Sequence, residues 1–300
     1  MFYYRVYGLN IKSSVSIPFL TEVDNSRDVD LHIECVEKLS FTEDKRINLG
    51  LAEDAQNNLL LDIPEIAKYK ITDDKILICK SVKIDLDSVI IFLVGSAIPY
   101  YLAKRGKVVL RGCAYSKDLK SADLILGPSG VGKSTILAAF CQKDYKMLSD
   151  QFCVLTQEAN KIYVESAFPN IKLWLQATRV LKIDAENLSR VRPNLKRYYW
   201  EAPFCSDRLE VRNICKINEQ NLESDVPFEK IVGVKKINIL QNNVIGKELF
   251  FIEKNHKIVM TKATMVLASQ ANFFKILNIR GKSTIDSLCE LIEDKCNEEK

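Results

Sequence analysis

The stretch Gly127-Pro-Ser-Gly-Val-Gly-Lys-Ser-Thr135 constrains this chain more than any other. It fits G-x-x-x-x-G-K-[ST] at Gly127, Gly132, Lys133 and Ser134, the pattern of a phosphate-binding loop. The chemistry dictates the residue types. Successive backbone N–H groups must point inward around a polyphosphate, and Gly127, Gly130 and Gly132 permit conformations that a Cβ would penalise. In this pattern Lys133 reaches the β/γ-phosphates and the Ser134 hydroxyl binds Mg²⁺, while Ser129, Val131 and Thr135 complete the cradle. Asp123-Leu-Ile-Leu126 reads as a short buried strand and Ser134–Lys143 as a helix. A strand thus leads through the loop into a helix N-terminus, whose partial positive charge favours an anion. The expected ligands are a nucleotide phosphate and Mg²⁺.

Composition narrows the setting. Over 300 residues, 47% hydrophobic and 27% charged content is that of a globular protein with ample core. A net charge of +4, from 43 basic and 39 acidic residues, is too small to imply a nucleic-acid partner. The nine cysteines form no C-x-x-C pair, which argues against a zinc site or disulfide framework and for a reducing, cytoplasmic setting; each reads as a small buried hydrophobe. The N-terminal Met-Phe-Tyr-Tyr-Arg has no signal-peptide pattern, and the longest apolar stretch, Val89–Ile98, is too short for a membrane span. No membrane partner is expected. Only His32 and His256 are present, both far in sequence from the loop, so histidine-based catalysis is not expected.

Residues 1–87 read as a small antiparallel β-rich lobe. Phe2–Gly8, Val15–Pro18 and the alternating Val29–Val36 are strand candidates, and Ile66–Cys79 is a hairpin turning at Asp73-Asp74. Residues 88–300 form the second domain. It opens with an all-round apolar helix over Ser88–Lys104, expected to be buried between layers, followed by a strand at Lys107–Ala114. Tyr145–Leu155 is a strand broken by Ser149-Asp150-Gln151, and polar residues interrupting a buried strand belong at the mouth of a cleft. Lys161–Glu165, Arg208–Ile217 and Ile231–Leu240 are further strands, and helical segments are expected near Glu248–Ile252, Thr261–Asn278 and Ile285–Asp294. The fold class is α/β, α+β overall, with a mixed sheet around the phosphate loop. The basic run Arg179–Arg197, ending in Tyr198-Tyr199-Trp200, leaves three readings open: a solvated face, phosphate or substrate contacts, or a stacking surface for single strands.

The loop also suits a transporter ATPase, but no apolar run ending in Asp-Glu and no Leu-Ser-Gly-Gly-Gln signature is present; Leu249–Glu253 lacks the second acid and reads as packing. GTPase signatures such as Asn-Lys-x-Asp are missing too. What the sequence does carry is a helix ending in Leu102-Ala-Lys-Arg-Gly106, the strand Val108–Ala114, the loop, and Leu148-Ser-Asp-Gln-Phe-Cys-Val-Leu155. Phe168-Pro-Asn-Ile-Lys-Leu-Trp174 and the basic pair Lys196-Arg197 follow. In order and spacing these resemble the HPr kinase/phosphorylase family, specifically the shorter HPr-kinase-like serine kinases, some of which accompany peptide-modifying gene clusters.

That resemblance implies ATP-dependent phosphorylation of a serine-type hydroxyl on a peptide, protein or small molecule, and makes a homo-oligomer plausible. It implies Lys133 on the phosphates, Ser134 and Asp150 on Mg²⁺, and substrate or phosphate contacts from Lys196 and Arg197. Two positions depart from the family pattern. Its second aspartate, the expected base, is Gln151 here, and its histidine before the loop is Arg111. Glutamine orients a hydroxyl but takes no proton, and arginine clamps phosphate but offers no base. The alternative expectation is therefore a nucleotide-binding regulatory or scaffold protein with weakened or lost catalysis. Another transfer on the same scaffold, such as nucleotidyl transfer or ATP hydrolysis, is the third.

Overall fold

The computed structural model describes residues 1–24, 28–220, 228–247, 249, 254–279 and 284–297. It is an α+β protein with two eight-stranded sheets and a two-stranded ribbon. The first sheet holds β1 (Phe2–Val6), β2 (Leu9–Ser13), β3 (Leu31–Cys35), β4 (Lys45–Asn48), β5 (Leu51–Glu53), β6 (Leu59–Ile63), β7 (Ala67–Ile71) and β8 (Lys75–Lys80). Their order is β1-β2-β3-β8-β7-β6-β5-β4. The hairpin at Asp73-Asp74 forms between β7 and β8, but the sheet is mixed rather than antiparallel, because β3 runs parallel to both β2 and β8. Parallel neighbours need a crossover, and the chain from Ser14 to Asp30 supplies it. Val15–Pro18 is the start of this crossover and not a strand. The Ser13 hydroxyl turns the chain by bonding Val15 at both N and O, and the Ile17 N–H donates to the Tyr4 hydroxyl at 2.8 Å.

Helix α1 (Leu86–Lys104) lies between the layers, as its all-round apolar surface requires. It starts before Ser88 because Asp85 caps it, accepting from Ser88 N at 2.7 Å. A π turn over Leu93–Ala97 interrupts the α ladder, where Pro99 supplies no N–H to continue it. By length and composition α1 is apolar enough to cross a membrane, and 61% of the relevant window is buried inside the protein. Tyr69 from the first sheet donates its hydroxyl to Val89 O at 2.7 Å, and Tyr101 from the helix donates to Asp30 O at 2.7 Å.

The second sheet holds β9 (Val108–Ser116), β10 (Ser121–Leu126), β11 (Lys146–Ser149), β12 (Phe152–Glu158), β13 (Lys161–Val164), β16 (Leu209–Gln220), β17 (Phe228–Ile231) and β18 (Asn272–Ile279). The run β10-β9-β12-β13-β16 closes on itself through parallel pairing of β10 with β16. Alternation sends its two faces into two cores. Leu124, Leu126 and Ile214 join the core shared with α1 and the first sheet. Ile125, Cys215 and Ile217 join the core under α2 (Lys133–Gln142) and α6 (Ile285–Asn297). Phe140 of α2 stacks on Tyr115 at 4.6 Å between ring centroids. Seven cysteines are buried as expected, whereas Cys35 is exposed and Cys79 partly so.

Two expected elements differ. Ile231–Leu240 is the end of β17, a turn at Gly233 with φ 60°, and helix α4 (Val234–Asn243). Ile237 and Ile239 mimic strand alternation, but Ile239, Leu240 and Asn243 form the buried helical stripe. Thr261–Asn278 splits into the end of α5 (Lys254–Gln270) and strand β18. Gln270 ends the helix by binding β13 and β16, donating to Ile162 O at 3.0 Å and Val211 O at 2.7 Å. Its tail then pairs between β16 and β17, and tertiary pairing overrides the helical pattern. Of the segment expected near Glu248–Ile252, only Leu249 lies within the described residues.

The loop hangs from β9 and β10, which touch closely at Gly112. A Cβ there would stand 2.6 Å from both Ile125 O and Leu126 Cδ2, while Gly95 in α1 has open space around its Cβ direction. Gly112→Ala is expected to lower stability by about 1–3 kcal/mol through overpacking, and Gly95→Ala to raise it by about 0.5–1 kcal/mol. Thermal unfolding of the two variants checks this; a Gly112→Ala midpoint equal to wild type would contradict the packing.

Candidate functional site

Strand β10 ends at Leu126 and the chain enters the loop at Gly127, whose φ is 152°. A Cβ on Gly127 would meet Ile217 O at 2.5 Å, so close approach as well as conformation demands glycine. Gly130 and Gly132 also have positive φ, 86° and 99°. The Val131 side chain is buried, and its carbonyl accepts from Asn278 Nδ2 at 3.4 Å. Lys133 curls back over the loop, its Nζ donating to Gly127 O at 2.8 Å and Pro128 O at 2.7 Å. An ammonium has three protons, so one remains for a ligand. Burial lowers the Lys133 pKa below its usual value.

The strand candidate Tyr145–Leu155 is two strands, β11 and β12, on the same edge of β9, with a register shift inside β11 between Met147 and Ser149. Gln151 takes φ 76°, and its carbonyl still accepts from Gly112 N at 3.0 Å. Bulges re-aim side chains near sites; this one directly precedes Asp150 and Gln151, whose side chains face the loop. Asp150 Oδ1 accepts from Ser134 Oγ at 2.8 Å, and Oδ2 accepts from the Lys172 backbone N–H at 3.2 Å.

The third wall is the ribbon of β14 (Asn170–Trp174) and β15 (Arg197–Glu201), which pairs Lys172 with Tyr199 and Trp174 with Arg197. These four share one face. Lys172 is a buried lysine: its Nζ donates to Gln151 Oε1 at 3.3 Å and stands 5.8 Å from the Tyr199 ring centroid. Burial, reinforced by the nearby Arg197 charge and opposed by Asp150, pulls its pKa down to about 8. Arg197 donates through Nε and Nη2 to Lys172 O, both at 3.4 Å, and its guanidinium lies 5.3 Å from the Trp174 ring centroid.

These elements enclose a cavity of about 210 Å³. Arg111, Lys133, Lys172 and Arg197 line it against a single carboxylate, Asp150. Of the sequence candidates, Arg111, Ser129, Gly130, Gly132, Lys133, Ser134, Thr135, Asp150, Gln151 and Arg197 come together here. Gly127 lines a neighbouring cleft of about 560 Å³ instead, shared with Arg111, Pro128 and Lys216. Lys196 is exposed and does not line the cavity, because its neighbour Arg197 takes the inward position of β15. The basic run divides: Arg190 donates to Pro193 O and Arg192 to Ser88 Oγ, both at 3.0 Å. Sequence reasoning assigns no role to Lys172 or Trp174. The available signal was a lysine set between the apolar residues Ile171 and Leu173 in the segment Phe168–Trp174.

Among the described residues no three His, Cys, Asp or Glu side chains gather as a metal cage. Ser134 and Asp150 offer two adjacent oxygens, which fits Mg²⁺, an ion that completes its octahedron with water and substrate phosphates.

No family model and no curated protein matches the chain. Among solved structures it is similar to the HPr(Ser) kinase/phosphatase from Coxiella burnetii, with 14% sequence identity over 64% of this chain and 92% of that one, at a TM-score of 0.35. A likeness at that level decides nothing about the site, whose reading rests on its own residues.

The buried lysines give a pH signature. An unfolded lysine holds its proton to about pH 10.4, whereas folded Lys172 releases it near about 8. Between these values the unfolded state binds more protons, so stability rises with pH across that window and the penalty is full below it. Lys172→Met is expected to raise stability at pH 7 by up to about 3 kcal/mol and to flatten the rise between pH 8 and 10. Denaturant unfolding across that pH range measures both effects; a less stable Lys172→Met at pH 7 would contradict them.

Proposed function

We propose that this protein binds Mg·ATP at the loop and transfers its γ-phosphate to a hydroxyl of a peptide, protein or small molecule. The observation that carries the reading is the charge of the cavity: four cations around one carboxylate, at a helix N-terminus, in a space that suits a polyphosphate. Phosphoryl transfer asks mainly for positioning and charge neutralisation, and the residues supply both. Lys133 is fixed by the loop carbonyls with one proton free for phosphate. Lys172 and Arg197 add positive charge from the opposite wall, and Arg111 adds it from the rim. Ser134 and Asp150 would hold Mg²⁺, which neutralises phosphate charge when bound.

Gln151 stands where the family pattern has its base. Its Oε1 accepts from Lys172, which leaves its amide N–H groups to orient the acceptor oxygen. Asp150 is the only carboxylate among the described lining residues. A loose transition state asks little of a base, so transfer on this arrangement is slow rather than forbidden. The same observation favours a second reading, a nucleotide-binding regulator without transfer.

Incubation with ATP labelled at the α- and γ-phosphates, Mg²⁺ and hydroxyl-bearing candidate acceptors separates the two. The expected result is γ-label on an acceptor, reduced at least about 100-fold by Lys133→Ala or Asp150→Ala and increased by Gln151→Asp. Tight ATP binding with no label moved by wild type or Gln151→Asp would leave the regulator reading; α-label on the acceptor would mean nucleotidyl transfer.

A further inference from the structure

We infer that Trp174 is the stacking platform for the base of a purine nucleoside triphosphate. The inference rests on the nucleotide reading above and adds which end of the cavity takes the nucleoside.

Size comes first. A cavity of about 210 Å³ falls below the roughly 300–1,000 Å³ that encloses a drug-sized ligand. It accommodates a polyphosphate, so the nucleoside must sit at its rim.

The loop then sets the direction. In this motif the lysine reaches the β/γ-phosphates and the backbone amides cradle the α/β-phosphates. The Lys133 ammonium is held at the Gly127 and Pro128 carbonyls, so the γ end lies there. That end continues past Arg111 into the cleft of about 560 Å³ lined by Lys216, Asn218 and Asn242, which gives an acceptor room to approach. The nucleoside therefore leaves from the first turn of α2, near Thr135. Trp174 lines the cavity that Thr135 lines and does not line the cleft at Gly127.

Trp174 itself is suited to stacking. It is 53% exposed, although Ile171 and Leu173 of the same strand are buried. Its ring is positioned by Arg197, which is anchored in turn on Lys172 O. A rigid indole offers a π face to any base, and the bicyclic purines cover more of it than pyrimidines do.

Only two tryptophans exist, and Trp200 packs on the second core, so intrinsic fluorescence reads the site. The full-length chain would be titrated with ATP, CTP and tripolyphosphate, each with Mg²⁺, by fluorescence and by calorimetry. ATP is expected to quench, tripolyphosphate to bind without quenching, and the quench to survive Trp200→Phe and vanish in Trp174→Ala. Trp174→Ala is expected to weaken ATP about tenfold, to leave tripolyphosphate unchanged and to erase the preference for ATP over CTP. Unchanged ATP affinity in Trp174→Ala, or equal losses for ATP and tripolyphosphate, would overturn the inference while the nucleotide reading stands. If neither ATP nor tripolyphosphate binds wild type, the nucleotide reading falls and takes this inference with it.

Discussion

One carboxylate joins the three pieces of this site. Asp150 accepts from the Ser134 hydroxyl on the first turn of α2 and from the Lys172 amide on the ribbon, while its own backbone belongs to the link between β11 and β12. The three pieces come from separate stretches of chain and share the second core. A carboxylate whose two oxygens accept from two different elements fixes their separation, because each hydrogen bond tolerates only a few tenths of an ångström before it weakens. Gln151 takes φ 76° in this link, and the bond from Gly112 to the Gln151 carbonyl keeps β9 paired across it.

The same geometry concentrates positive charge. Lys133, Lys172 and Arg197 all have pKa values lowered, with burial the largest cause in each. Folding thus holds three cations in a partly dry space with one carboxylate to balance them, which disfavours the folded state on its own and favours a bound polyanion. Such tension between stability and binding is usual where a site is prepared for a charged ligand. It also explains why Arg197 lies over the Trp174 ring and Lys172 near that of Tyr199: an aromatic face is a partial counter-charge available without another acid.

Legibility varied with the range of the interaction. The loop, the helix after it and the hairpin at Asp73-Asp74 are local patterns, set by glycine conformations, a helix N-terminus and turn-forming aspartates, and they read directly from the residues. The polar break at Asp150-Gln151 was legible as a cleft mouth because a buried strand has no other use for two polar side chains. Misreadings arose where a distant partner decided. β18 looks helical until it is placed between β16 and β17, Val15–Pro18 looks extended until the Tyr4 hydroxyl takes the Ile17 N–H, and the first sheet's parallel pairs depend on where the crossover lands.

The sequence by itself determined a loop with glycines, a lysine and a serine at the spacings of a phosphate cradle, and a polar break at Asp150-Gln151 facing it. Only the tertiary structure decided what faces that glutamine. Lys172 and Trp174 are an unremarkable lysine and tryptophan in a strand until the pairing of β14 with β15 turns both, with Arg197, to the side of the loop. Lys196, one residue from Arg197 and equal to it on paper, is exposed and stays outside the cavity. Lys196 stands before β15, whereas Arg197 is its first residue, and which side Arg197 faces is set by its pairing with Trp174 on a strand some twenty-five residues away.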